Sequence, residues 1–277
     1  MGKAEGVGRT ALITGASAGL GTAFAQALAG RGFDLILTAR RLDRLEATAQ
    51  AVQAVHGVKV TVIAADLADP AAPAALVEAI RARGLKVDML VNNAGYGIPA
   101  AFEKTTWEAQ RDLIQVLVTA LAELTHRLLP DMLAQRWGRI INVGSLAVFA
   151  PAIPGSTLYA GAKAFVVRFS EFLGAEVAGR GVHVLATCPG FTRTEFHEAA
   201  AMTAVTKAIP DWQWQSAEAV VEEAVKAVMA GRETVLINGT ANRVTAGVLK
   251  YLPGFLVRRV AARHPLARRA ANAAFEE

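Results

Sequence analysis

Short apolar or β-branched runs alternate with longer alanine- and leucine-rich stretches along most of the chain. The runs are Thr10–Thr14, Asp34–Thr38, Lys59–Ala64, Met89–Asn92, Arg139–Val143, His183–Thr187 and Thr234–Ile237. Between them lie helix-patterned segments such as Leu20–Arg31, Leu42–His56, Ala74–Arg83, Glu108–Leu133 and Tyr159–Ala178. The runs are apolar throughout, as expected of strands covered on both faces. Strands followed by helices of this length read as repeated βαβ units. The pattern therefore predicts an α/β fold: a doubly wound parallel sheet of about seven strands with helices on both faces. Phe191–Gln215 breaks the rhythm with two tryptophans, Trp212 and Trp214, and few helix or strand signals. Irregular stretches of this length are often lids or binding loops.

Composition narrows the picture. The chain has 277 residues, 53% hydrophobic and 19% charged, which allows a large buried core and excludes a disordered chain. Cys188 is the single cysteine, so no intrachain disulfide forms and a reducing cytoplasm is expected. Met1–Arg9 carries no apolar signal region, and no uninterrupted apolar run reaches the roughly 18 residues of a membrane span. A soluble protein is expected. No linker rich in Pro, Gly or Ser divides the chain. The expected organisation is one catalytic domain over residues 1–242, with a lid at about 191–215, and a basic helical tail over 243–277.

The net charge of +5 comes from that tail. Arg243, Lys250, Arg258, Arg259, Arg263, Arg268 and Arg269 face only Glu276 and Glu277 there, and the rest of the chain is formally balanced. In the tail Leu256, Val257 and Val260 fall on one helical arc, with Arg258, Arg259 and Arg263 largely on another. Such helices can lie on anionic membrane surfaces. Pro253 and Pro265 interrupt the pattern, so a subunit interface or a solvated end is preferred over peripheral membrane contact. Nucleic-acid binding is not expected, since aromatic interleaving is absent. His56, His126, His183, His197 and His264 are scattered without ligand spacing, and no metal site is expected.

Thr14-Gly15-Ala16-Ser17-Ala18-Gly19-Leu20-Gly21 follows the first strand and opens the first helix. Gly15 permits a tight turn, Gly19 lets the backbone approach a pyrophosphate, and Gly21 allows close helix–sheet packing. The helix N-terminus offers N–H groups and a positive dipole end to phosphates. A dinucleotide site follows from the strand–loop–helix context, where glycines alone would also suit an ordinary turn. A site for NAD places an acid about 20 residues later. Here the second strand ends Leu37-Thr38-Ala39-Arg40-Arg41, without an acid. Arg40 can grip a 2′-phosphate through charge-assisted hydrogen bonds, and Ser17 can add a hydroxyl. NADP(H) is the expected cofactor; the plainer reading is that Arg40 and Arg41 solvate a loop.

Tyr159 and Lys163 stand four apart, on one face of a helix. Ser145 lies just past the strand Arg139–Val143, where a parallel α/β sheet opens its ligand crevice. With the glycine loop, Asp66, Asn92-Asn93-Ala94-Gly95 and Pro189-Gly190, this ordered set resembles the short-chain dehydrogenase/reductase superfamily over roughly residues 9–240, and implies its Rossmann-type fold. A lone Tyr-x-x-x-Lys would carry little weight.

Reducing a ketone needs a hydride at carbon and a proton at oxygen. A free phenol has a pKa near 10. The Lys163 ammonium and the positive nicotinamide of the oxidised cofactor are expected to lower the Tyr159 value. Ser145 can hydrogen-bond the carbonyl oxygen as charge develops, and in reverse Tyr159 is the base for alcohol oxidation.

The resemblance also implies binding roles. Asp66, with Leu67 beside it, resembles the adenine contact at the end of the third strand. Asn93, Ala94 and Gly95 resemble the loop against the adenosine ribose, and Lys163 a ligand of the nicotinamide ribose. Pro189, Gly190, Thr192 and Thr194 resemble the turn holding the carboxamide and phosphates. One departure stands out. Many members carry an Asn that helps hold a relay water, at the position where Gln115-Val116-Leu117-Val118-Thr119 has Leu117. Slower turnover, a relay rebuilt from backbone carbonyls or Gln115, and altered chemistry all remain open.

The expected substrate pocket comprises Tyr96, Ala147, Phe149, Ile153, Pro154, Phe191, Trp212 and Trp214. These are mostly apolar, which predicts a small hydrophobic carbonyl or alcohol substrate; the tryptophans equally suit plain lid packing. By resemblance, a homodimer or homotetramer is expected. Three functions stay open: an NADPH-dependent reductase of a hydrophobic ketone, aldehyde or 3-oxoacyl compound; a secondary-alcohol dehydrogenase; and a cofactor-sensing protein that has lost catalysis.

Overall fold

The computed structural model describes residues 5–98, 100–152, 155–195 and 209–251. Its sheet has seven strands: β1 (Thr10–Thr14), β2 (Asp34–Thr38), β3 (Val60–Val62), β4 (Met89–Asn92), β5 (Gly138–Val143), β6 (Val182–Cys188) and, last in sequence, β9 (Val235–Ile237). They lie in the order β3-β2-β1-β4-β5-β6-β9, all pairs parallel. β7 (Thr192–Arg193) and β8 (Gln215–Ser216) form a small separate ladder. The strand order reverses between β1 and β4. A crevice opens at their carboxyl ends, where α/β sheets bind ligands.

The apolar runs place side chains on alternate faces, and both faces are covered. Ala11, Ile13, Leu35, Leu37, Met89 and Val91 pack beneath α1 (Gly19–Ala29), α2 (Leu42–His56) and α7 (Ala217–Ala230), against Phe24, Leu28, Leu45 and Val225. Leu12, Ile36, Leu90 and Ile140 pack on the other face beneath α3 (Ala72–Ala82), α5 (Ala120–Ala134) and α6 (Thr157–Glu176), against Leu76, Ile80, Leu124 and Leu173. Burying each such side chain stabilises the fold by about 1.5–3 kcal/mol. Truncating Phe24, fully buried, to Ala would cost about 3–5 kcal/mol.

The long helix predicted over Glu108–Leu133 has an irregularity the apolar pattern does not foretell. α4 (Trp107–Ile114) passes into a π-helical turn, Gln115–Thr119, before α5 begins. Such wide turns frequently mark functional sites. Trp107–Ala134 as a whole reaches the length and mean hydropathy, 1.2, of a membrane-spanning helix, which counting uninterrupted apolar residues missed. Its Leu113, Leu117, Leu124, Leu128 and Met132 are buried in the protein.

The helix α8 (Thr240–Tyr251) crosses the boundary expected between 242 and 243, so the basic segment starts inside an element of the folded body. The tail residues from 252 onward, with their amphipathic pattern, lie outside the described residues, as do Ile153 and Pro154.

Candidate active site

The glycine loop is shaped by what stands against it. Gly15 (φ +66°) leaves no room for a β-carbon, which would come within 2.9 Å of the Ala94 Cα. Gly21 packs so closely that a β-carbon would strike the Gly15 carbonyl. The α1 N-terminus has no side-chain cap and no acid in its first turn. Its N–H groups and dipole are thus left for an anion. Thr194 packs on Gly19, and the Thr192 hydroxyl donates to the Gly190 carbonyl at 3.1 Å. Leu20 packs into the core.

Thr14 ties this loop to the Asn92-Asn93-Ala94-Gly95 segment. Its hydroxyl accepts from the Asn93 and Ala94 N–H groups, each at 2.9 Å. The Asn93 side chain donates back to the Thr14 carbonyl at 2.9 Å and the Gly15 carbonyl at 3.2 Å. Asn93 therefore braces the loop. Beneath it, Asn92 donates to Asn142 at 2.9 Å and Asn142 to Ser170 at 2.9 Å. Sequence reasoning missed Thr14; its signal was a hydroxyl residue immediately before the first glycine.

At the end of β2, Arg40 is exposed and makes no ion pair with any described residue. Arg41 caps α2 and its guanidinium donates to the Ser17 hydroxyl at 3.4 Å. Arg41 thus joins Ser17 and Arg40 as a 2′-phosphate candidate that the sequence reading left in the loop. Asp66 is exposed four residues past the last ladder residue of β3, at the end of an extended segment, and accepts from the Ala68 N–H at 3.1 Å. Leu67 beside it is buried.

Ser145, Tyr159 and Lys163 meet where β5 ends and α6 begins. Ser145 caps the 3-10 turn Leu146–Val148, its oxygen accepting from the Ala147 N–H at 3.1 Å. It also hydrogen-bonds Tyr159. Lys163 lies one turn along α6; its Nζ donates to the Val143 carbonyl at 2.6 Å and stands 5.8 Å from the Tyr159 ring centroid.

The electrostatics differ from expectation. Burial raises the Tyr159 pKa above 10, against the lowering effect of the Ser145 hydrogen bond. Burial also brings Lys163 down from 10.5 to about 8. The expected lowering at Tyr159 is thus reversed: desolvation outweighs the neighbouring amine, which itself loses its preference for charge. Cys188, beside Gly144, is pushed up to about 12 by burial and is no nucleophile.

Leu117 is 1% exposed and clusters with Leu113, Ala162, Tyr96, Leu158 and Tyr159. A β-carbon on Gly95 would stand 2.7 Å from Leu117 and 3.8 Å from Lys163 Nζ. The residue replacing the family Asn is thus part of an apolar wall beside the lysine. Gln115 lines a separate cavity with Ala68, Pro70, Trp107, Arg111, Ile114 and Thr119, and its buried Nε2 has no partner. Of the substitutes considered for the Asn, a backbone carbonyl, that of Val143, is the one Lys163 meets.

The pocket candidates separate. Ala147 adjoins Ser145, and Phe191 packs on Trp214 at 5.7 Å between centroids. Tyr96 reaches the catalytic cluster while also facing the charges of Asp112, Arg40 and Asp66. Phe149 packs against Val167, Ala186 and Cys188. Trp212 is 69% exposed and turned to solvent, away from any pocket, because its 3-10 turn, Asp211–Gln213, directs Trp214 inward instead. Among the described residues no group of His, Cys, Asp and Glu is placed to hold a metal.

The chain was compared with known proteins. A family model described as short chain dehydrogenase matches residues 9–205. The chain is 33% identical over 244 residues to the 3-oxoacyl-(acyl-carrier-protein) reductase FabG of Escherichia coli (strain K12), covering 87% of this chain and 97% of the relative. A short-chain dehydrogenase from Sphingobium yanoikuyae in complex with NADPH superposes with TM-score 0.76 at 34% identity, covering 88% of this chain and 96% of that one. A structure bearing on 7β-hydroxysteroid dehydrogenase stereoselectivity gives 0.82 at 26% identity, covering 94% and 99%. Sheet order, glycine cradle and these likenesses agree: the chain belongs to the short-chain dehydrogenase family and is an NADP(H)-dependent oxidoreductase.

Proposed function

We propose that the protein interconverts a hydrophobic ketone or aldehyde and its alcohol, working as a reductase, with Tyr159 as general acid. The observation carrying this reading is the hydrogen-bonded Ser145–Tyr159 pair beside the apolar cluster of Leu113, Leu117 and Leu158. Bound NADPH supplies the hydride. The Ser145 hydroxyl holds the carbonyl oxygen as negative charge develops on it. Tyr159, held protonated by burial, delivers its phenolic proton to that oxygen. Lys163 and the N-terminus of α6, whose first turn contains Tyr159, favour the phenolate left behind. Alcohol oxidation runs these steps backwards. The apolar Phe191–Trp214 contact, and relatives named for 3-oxoacyl and hydroxysteroid chemistry, support a hydrophobic substrate.

The proposal extends to one catalytic domain that assembles as a homodimer or homotetramer and works in the cytoplasm. Phe172, 62% exposed, and the stacked Phe165–Phe169 pair give α6 an outward aromatic face suited to a second subunit. Buried Cys188 suits a reducing compartment.

The test is Tyr159→Phe. It is expected to lower NADPH oxidation on a panel of aromatic and aliphatic ketones at least a thousandfold while NADPH binding, read by its fluorescence, stays within about threefold. Turnover surviving in the variant, or a wild type inert across the panel, overturns the reading.

A further inference from the structure

Behind the Pro189-Gly190-Phe191 turn lies a polar network that the catalytic reading does not use. Thr187 of β6 donates to the Asn238 Oδ1 at 2.7 Å. The Asn238 Nδ2 donates to the Val220 carbonyl at 3.2 Å and to Glu223 at 3.3 Å, and Glu223 also accepts from the Gly239 N–H at 2.9 Å. Asn242, in the first turn of α8, is the outermost member. Its Nδ2 donates to the Asn238 carbonyl at 2.8 Å and to the Gln215 Oε1 at 3.1 Å. Both hydrogens of that amide are then used.

The two amides are held between two glycines. A β-carbon on Gly190 would stand 2.5 Å from the Asn242 Nδ2, and one on Gly239 (φ +81°) 2.5 Å from the Gln215 Nε2. Gln215 in turn donates its backbone N–H to the Phe191 carbonyl at 2.9 Å, and the Leu146 N–H, next to Ser145, donates to the Pro189 carbonyl at 2.9 Å. The turn is thus pinned on one side to the catalytic serine's segment and backed on the other by an amide pair.

We propose that Asn242, acting through Gln215, is a positioning residue that sets the Pro189–Phe191 turn at the nicotinamide end of the cofactor. This rests on reading that turn as the carboxamide-holding segment. Asn242 touches neither substrate nor cofactor. It fixes where Gly190 and Phe191 lie relative to Ser145. The donor sense makes the role directional. Asn242→Asp would set carboxylate oxygens against the Asn238 carbonyl and the Gln215 Oε1, all acceptors, and add charge near Glu223. Gln215→Glu keeps the acceptor that Asn242 needs.

The experiment titrates each purified protein with NADPH and with adenosine 2′,5′-bisphosphate, which has the adenosine and 2′-phosphate but no nicotinamide half. Asn242→Asp is expected to weaken NADPH about tenfold and to leave the bisphosphate within twofold; Gln215→Glu should leave both within twofold. Equal loss of both probes in Asn242→Asp would show a general structural defect and overturn the proposal. Wild-type NADPH affinity in Asn242→Asp, or an NADPH loss in Gln215→Glu as large as that in Asn242→Asp, would overturn it too. Turnover does not enter these titrations, so failure of the Tyr159 reading would appear only in the carbonyl panel.

Discussion

The Lys163 ammonium donates to the Val143 carbonyl at 2.6 Å, with Leu117 forming an apolar wall beside it. Burial lowers this lysine to about 8, so its cation is present below that pH and lost above it. If the cation supports the phenolate of Tyr159, the reductive kcat should fall as pH rises through about 8. Leu117→Asn gives the amine a polar neighbour, relieves desolvation and should move that fall to higher pH. Rates between pH 6.5 and 9.5 for both proteins decide it. An unmoved limb in a folded variant would clear Leu117 of responsibility.

Cofactor choice should rest on two adjacent guanidinium groups. Hydrogen bonds to charged groups contribute about 1.5–3 kcal/mol each, so Arg40→Ala or Arg41→Ala should raise the NADPH Kd by roughly tenfold or more. NADH, without the 2′-phosphate, should bind within twofold of its wild-type value. Equal losses for both nucleotides would mean that the arginines shape the loop and do not read the phosphate.

Thr14→Val removes the hydroxyl that Asn93 and Ala94 share. A buried N–H left without a partner costs about 1–3 kcal/mol, so the variant's Tm should fall by several degrees and NADPH should bind more weakly. Thr14→Ser keeps the oxygen and should restore both. A serine variant as weak as valine would point to lost methyl packing.

Gly161 sits between Tyr159 and Lys163 on α6, and a β-carbon there meets nothing within 4 Å. Its φ is not in the left-handed region. Gly161→Ala should therefore stabilise the protein by about 0.5–1 kcal/mol through helix propensity, raising Tm by a degree or more. Any fall in NADPH oxidation at unchanged cofactor affinity would place the added methyl in the substrate's path.

Much of this fold was legible in the sequence because its signals are local. Thr10–Thr14, Asp34–Thr38 and Met89–Asn92 are continuous apolar runs, and they form strands with the expected bounds. The glycine loop and the Tyr159–Lys163 spacing are also local patterns. What escaped depends on partners far apart in the chain. Thr14 acts on residues that follow β4, Asn242 on a turn that follows β6, and Arg41 on Ser17. The reversed Tyr159 pKa escaped for the same reason: a motif names the neighbouring charge but not the depth of burial.

The π-helical turn at Gln115–Thr119 carries a consequence for what the chain tolerates. Each α-helical residue advances the side-chain direction by about 100°. Deleting one residue within that turn would let α4 and α5 fuse into a regular helix. One half would then turn by roughly that angle against the other, so that Leu113 and Leu128 could not both keep their buried sides. Substitutions at Leu117 change chemistry within a fixed frame; a change in residue count there changes the frame itself.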